Sequence, residues 1–101
     1  MKRAGLQLSD IDIIECNEAF AVQNLAVIKE LENQGGEKVD MEKWNPLGGA
    51  IAYGHPNAAS GARICIFAMR ELVRRGGKYG IFSSCCGGGL GVAAVVENLQ
   101  R

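Results

Sequence analysis

Apolar residues first gather in Ile11-Asp12-Ile13-Ile14-Glu15-Cys16, a β-branched run with partial alternation that predicts a strand ending at Asn17. A different pattern follows. Asn17-Glu18 has the chemistry of a helix start, an N-cap and a first-turn acid, and Ala19 to Leu31 is nearly all strong helix former. Its apolar residues Phe20, Val22, Leu25, Ala26, Ile28 and Leu31 span more than a narrow stripe, so this helix is expected to be covered on several sides. Residues 32–43 are polar, contain Gly35-Gly36 and read as a surface connection.

Trp44-Asn45-Pro46 leads into the glycine-rich stretch 48–61. From Asn57 to Arg75 a second helix carries Ile64, Ile66, Phe67, Met69, Leu72 and Val73, with Arg63, Arg70, Glu71, Arg74 and Arg75 at wetter positions. Asn57 or Ser60 would cap it, and Gly76-Gly77 ends it. Tyr79 to Ser84 predicts a strand, Gly87 to Gly91 a turn, and Val92 to Val96 a strand that pairs back as a hairpin. Met1 to Gly5 reads as the last turn of a helix, as though the chain began inside an element. This order of elements argues for an α/β layered fold with helices on a sheet.

Composition narrows the function classes. The chain has 101 residues and 48% hydrophobic content, enough for one small packed domain or part of a larger one. Eleven basic residues balance eleven acidic ones, which disfavours nucleic acid and an acidic lipid surface as partners. The apolar runs are too short to cross a bilayer, and Met1-Lys2-Arg3 does not lead into a secretory core, so a cytoplasmic location is expected. The four cysteines form no C-x-x-C pair, so reduced thiols and no bound metal are expected.

Two stretches could carry chemistry. The only histidine, His55, lies between Gly54 and Pro56, and it is either an acid or base in a site or a loop residue that satisfies a nearby carbonyl. Cys85 and Cys86 precede Gly87-Gly88-Gly89, which offers bare backbone N–H groups to an incoming oxygen and so suits acyl chemistry. A tight hairpin with positive φ would explain one or two of these glycines, less easily Gly87, Gly88, Gly89 and Gly91 together. A dinucleotide site fails on context, because a β-branched run follows in place of a helix. Asn17 is most simply a cap, although its amide could hold a water or a substrate oxygen, while Trp44 and Tyr53 suit packing or pocket walls.

Asn17-Glu18-Ala19-Phe20, Gly48-Gly49-Ala50-Ile51-Ala52-Tyr53-Gly54-His55-Pro56, Ser60-Gly61-Ala62-Arg63 and Cys85-Cys86-Gly87-Gly88-Gly89 together resemble the C-terminal part of a thiolase. The resemblance covers essentially the whole chain. It implies one partial C-terminal domain over 1–101, with α/β/α layers and a mixed sheet, lacking the domain's first strand and most of its first helix. It also implies acyl transfer between acyl-CoA thioesters and coenzyme A, with coenzyme A as substrate carrier and no fixed cofactor.

By the same resemblance His55 activates the nucleophile and helps bind a thioester oxygen, and Cys85 is the acid/base cysteine. Asn17 anchors a water in one oxyanion hole, and the N–H of Gly87 helps form another. The nucleophilic cysteine is expected on a missing N-terminal part or a partner chain, and a homo-oligomer is expected. Leu47, Ala58 and Cys86 depart from the usual family pattern and bear on substrate choice. The alternative is a non-catalytic fragment or a self-associating interaction module; a free-standing coenzyme A binding domain ranks below both.

Overall fold

The computed structural model describes residues 1–100. Strand β1 spans Ile11–Cys16, as its β-branched run predicts, and is followed by helix α1 (Ala21–Gly35), the single-turn helix α2 (Ala50–Tyr53) and helix α3 (Asn57–Arg75). Strands β2 (Tyr79–Gly87) and β3 (Leu90–Glu97) complete a mixed three-stranded sheet of order β1-β2-β3. β1 runs parallel to β2, with Ile14 opposite Ile81 and Cys16 opposite Ser83. β2 and β3 form the expected antiparallel hairpin, longer than the alternation predicts.

The sheet is covered on both faces. Ile11, Ile14 and Cys16 pack with Leu8, Val39 and Trp44 and, from α1, with Val27, Ile28 and Leu31. Ile13 points the other way and packs with Ala68 and Leu72 of α3 and with Val96. Alternation along β1 thus serves two cores, which is why the strand reads as almost continuously apolar. On α3 the buried apolar stripe and Ser60 follow a four-residue spacing, Ser60, Ile64, Ala68 and Leu72, whereas Ile66, Met69 and Val73 are exposed. Glu71, expected at a wetter position, is buried too, its carboxylate paired with Arg74 and Arg75.

Some local expectations need correction. Asn17 does not cap α1: the helix starts at Ala21 behind an extended Phe20, with no side-chain cap. At the other end α1 runs on through Glu32-Asn33-Gln34 to Gly35, and Gly36 supplies the left-handed C-cap. That polar last turn faces solvent, so hydrophobic periodicity carries no trace of it. Nor is α1 covered on several sides, since Val22 and Leu25 are exposed, as is Phe20 just before it. The residue before α3 is Pro56, and neither Asn57 nor Ser60 caps it. The start of the chain is a short 3-10 turn, Lys2–Ala4, closed by Gly5 in the left-handed region as its sequence suggests.

Residues 43–45 form an edge that periodicity does not reveal. Ile14 N–H donates to the Lys43 carbonyl at 2.8 Å, and Asn45 N–H donates to the Ile14 carbonyl at 2.8 Å. Asn45 then satisfies both backbone groups of Cys16: its Oδ1 accepts from the N–H at 2.8 Å and its Nδ2 donates to the carbonyl at 2.9 Å. The outer side of β1 is therefore paired. β3 is the outer strand on the other side among the described residues.

Candidate functional site

Because β1 and β2 are parallel, the residues at their carboxyl ends lie at the same end of the sheet, where open α/β sheets bind ligands. Asn17 follows β1 there. Its N–H donates to the Ser83 carbonyl at 2.9 Å, and its carbonyl accepts from Asn24 Nδ2 at 3.2 Å. The residue is 1% exposed, and its Oδ1 has no hydrogen-bond partner among the described residues. A buried amide oxygen without a donor is costly in a folded chain and marks a group available to a ligand.

Cys85 and Gly87 lie at the same end of the sheet, on β2 beyond Ser83. They line an open groove of ≈ 620 Å³ together with Cys16, Gln23, Val27 and Leu90, and the buried Asn17 is not among its lining residues. The hairpin register skips at Cys86, a bulge between the Cys85–Gly91 and Gly87–Leu90 pairs, and both cysteines are exposed. Gly87, Gly88 and Gly89 have φ of 83°, 60° and 77°. The two-residue turn and its bulge therefore require three glycines, more than the sequence suggests, and only Gly91 has no such constraint. Burial pushes the neighbouring Cys16 thiol up, with Cys85, Glu18 and Glu15 adding to that and a hydrogen bond with Ser83 opposing it. Cys16 stays a neutral thiol at neutral pH, so it is a wall of the groove and no nucleophile.

His55 does not line this groove. It sits exposed between α2 and α3, and its Nδ1 is 2.8 Å from Oγ of the buried Ser60. Its segment is nevertheless tied to Asn17 through the next residue. Glu18 Oε1 accepts from Ile51 N–H at 3.2 Å in the first turn of α2, and Glu18 Oε2 accepts from Asn45 Nδ2 at 3.4 Å. Such an approach needs a glycine: a Cβ on Gly49 would lie 2.1 Å from Glu18 Oε1. The Tyr53 hydroxyl donates to the Leu47 carbonyl and braces the same loop.

On the α3 face, Glu15 is fully buried and neither of its oxygens is hydrogen-bonded among the described residues. Desolvation raises its pKa to about 7, against the opposing charge of Arg63 and with Glu18 and Glu71 adding to the rise. The Arg63 guanidinium lies 5.4 Å from the Tyr53 ring centre and 5.0 Å from that of Phe67. A charged residue inside a β-branched strand is the signal that picks Glu15 out of the sequence. Ser60 and Asn45 carry no such signal, because helix-start serines and an Asn before proline are ordinary local choices.

Trp44 is a core residue, its indole N–H donating to Asn24 Oδ1 at 3.0 Å. A second groove of ≈ 700 Å³ between the last turns of α3 and residues 96–100 holds none of the candidate residues. Among the described residues no group of three or more His, Cys, Asp and Glu is arranged to hold a metal ion, and no helix is long and apolar enough to cross a membrane.

Known proteins share this fold. Residues 1–98 match the family described as thiolase, C-terminal domain. The chain is 52% identical over 98 residues to the mitochondrial 3-ketoacyl-CoA thiolase of Bos taurus, covering 97% of this chain and 23% of that protein. It is 48% identical over 108 residues to the 3-ketoacyl-CoA thiolase of Aliivibrio fischeri, covering 96% of this chain and 24% of that one. Among solved structures, human mitochondrial 3-ketoacyl-CoA thiolase in complex with CoA superposes with a TM-score of 0.87 at 49% identity, over 96% of this chain and 23% of that one. The Bacillus anthracis acetyl-CoA acetyltransferase gives 0.87 at 46% identity, over 97% and 23%. The chain thus spans about a quarter of the length of the relatives it matches.

Proposed function

This chain belongs to the thiolase family, matching its C-terminal domain, and from that premise we propose that it supplies the acid/base and oxyanion-binding half of a thiolase active site. The substrates are a 3-ketoacyl-CoA and coenzyme A, or two acyl-CoA thioesters in the reverse direction. The nucleophilic cysteine comes from the remainder of the protein or from a partner chain. The observation that carries this reading is the buried, unpartnered amide oxygen of Asn17 at the strand ends that also carry Cys85 and Gly87.

In thiolysis His55 takes the proton of the nucleophilic thiol, and the thiolate attacks the 3-keto carbon. The bond between the α and β carbons then breaks, and its electron pair passes to the acetyl-CoA enolate. Enolate charge on the thioester oxygen is met by His55 and by a water held on Asn17. The Cys85 thiol protonates the α carbon and releases acetyl-CoA. Its thiolate next takes the proton of incoming coenzyme A, whose sulfur attacks the acyl-enzyme. The oxyanion of that second intermediate is met by the N–H of Gly87, and its collapse frees the nucleophilic cysteine as a thiolate that recovers its proton from His55. Glycine at 87 lets the thioester come close to that N–H.

The test is to purify the chain from its source with its accompanying polypeptides and assay thiolysis of a short 3-ketoacyl-CoA. His55→Ala and Cys85→Ala are each expected to lower kcat/KM by about 10²–10⁴-fold. Recovery without any chain carrying the nucleophile, and without activity, would reject the catalytic reading. The second reading, a self-associating module without catalysis, is favoured by one feature, the exposed Val22 and Leu25 on α1 with Phe20 just before it.

A further inference from the structure

Ser60 lies in the first turn of α3 and is 2% exposed. Its hydroxyl has one hydrogen-bond partner among the described residues, His55 Nδ1 at 2.8 Å. The carbonyl one turn back, that of Pro56, is already taken by the N–H groups of Ala59 at 2.8 Å and Ser60 at 3.0 Å. A buried O–H requires an acceptor, and Nδ1 is the one within reach. Nδ1 therefore accepts, and the neutral ring carries its proton on the other nitrogen.

We infer that Ser60 is the positioning residue of His55: its hydroxyl donates to Nδ1, holds the neutral imidazole as the Nε2–H tautomer, and so presents His55 to a thioester oxygen as a hydrogen-bond donor. The inference rests on the reading of His55 as a site residue. Donation from Nε2–H to the thioester oxygen of a bound substrate, before any proton is taken, uses the resting tautomer. Taking a thiol proton at Nε2 requires the ring proton to be on Nδ1, and the Ser60 hydroxyl must then turn to accept from it, leaving its own O–H without a buried acceptor. Serine suits this position because a hydroxyl both donates and accepts without adding charge, whereas a carboxylate would fix Nδ1–H and hold the ring as imidazolium. The position also fixes geometry, since Ser60 belongs to the buried stripe of α3 while His55 lies on an exposed segment.

¹⁵N-histidine labelling in the assembly in which the chain purifies reads the imidazole, with the His55 resonances assigned by their loss in His55→Ala. At a pH where the ring is neutral, the expected spectrum has a pyridine-type Nδ1 that accepts a hydrogen bond and a protonated Nε2. Ser60→Ala is expected to move the Nδ1 resonance towards that of an unbonded nitrogen, and Ser60→Thr, which keeps the hydroxyl, to restore it. In thiolysis Ser60→Ala is expected to lower kcat about tenfold with KM little changed, as lost orientation at the reacting group does, and Ser60→Thr to recover most of that loss. A proton found on Nδ1 in the unsubstituted chain, or a Nδ1 resonance unmoved in Ser60→Ala, overturns the inference even if that variant folds poorly. Full kcat in a folded Ser60→Ala beside an inactive His55→Ala also overturns it. Full activity in His55→Ala would instead reject the proposed function, and the Nδ1 spectrum would still decide the hydrogen bond.

Discussion

Glu15 is the residue whose physics departs most from its surroundings. It projects from β1 towards α3, and no hydrogen bond offsets the removal of its carboxylate from water. The folded pKa of about 7 lies above the ordinary 4.5, so between these values the folded chain binds more protons than the unfolded one. Stability is therefore greatest below about pH 4.5 as far as this group decides it, falls as pH rises, and reaches its floor above about pH 7. By the usual conversion the loss is up to about 3 kcal/mol. Urea unfolding of the assembly in which the chain purifies, at pH 5 and pH 8.5, reads this difference. Glu15→Gln is expected to flatten the difference and to be the more stable protein at pH 8.5; a Gln variant that keeps the full pH slope would assign the titration elsewhere.

Asn45 makes the converse case, a polar residue whose contacts are all satisfied. It has a φ of 41°, which asparagine tolerates better than most residues, and its amide completes both backbone groups of Cys16. Asn45→Ala leaves those groups buried without partners and adds backbone strain, with an expected loss of about 2–4 kcal/mol. Asn45→Gly relieves the strain but not the lost bonds, so its denaturant midpoint is expected between those of the Ala variant and the parent chain.

At the scale of elements, the single turn α2 exists because Glu18 reaches it from the end of β1. A four-residue helix has little stability of its own, and the carboxylate accepting from Ile51 N–H stands in for a local cap. Gly49→Ala would drive a Cβ into that carboxylate and force Glu18 away. The expected cost is about 1–3 kcal/mol, with faster hydrogen exchange at the Ile51 amide as the specific readout. An unchanged Ile51 exchange rate would mean that α2 is held by something other than Glu18. The same contact explains why Asn17-Glu18 reads as a helix start and is none: their side chains face the core and another segment, and α1 begins behind Phe20.

For the whole molecule, the distribution of apolar surface is decisive. β1 is covered on both faces and along its outer edge, whereas Phe20, Val22, Leu25, Leu90, Val92 and Leu99 are all more than 60% exposed. They lie on α1 and the residue before it, on β3, which is the outer strand among the described residues, and on the tail beyond it. The chain by itself is expected to associate or to unfold without a sharp transition. Sedimentation velocity across a dilution series tests this, together with Val22→Lys and Leu25→Lys, which are expected to weaken association without touching the core. A monomer at all concentrations with a sharp melt well above room temperature would refute the expectation.

What the sequence by itself determined is whatever rests on local pattern: β1 to the residue, the span of α3, the hairpin, and the glycines that close helices or turns. Those features follow from periodicity, capping and backbone freedom, which neighbours in the chain impose. The motifs also marked the family, because His55, Cys85, Asn17 and Gly87 stand in recognisable strings. Tertiary structure alone decided that Asn17 is a buried, unpartnered amide and no cap, that Ser60 faces His55, that Glu18 caps α2, and that residues 43–45 close the edge of β1. Each of these depends on which distant groups a polar side chain meets after packing. Hydrophobic pattern specifies which faces are buried, but it does not specify the partner of a hydrogen bond made across the fold.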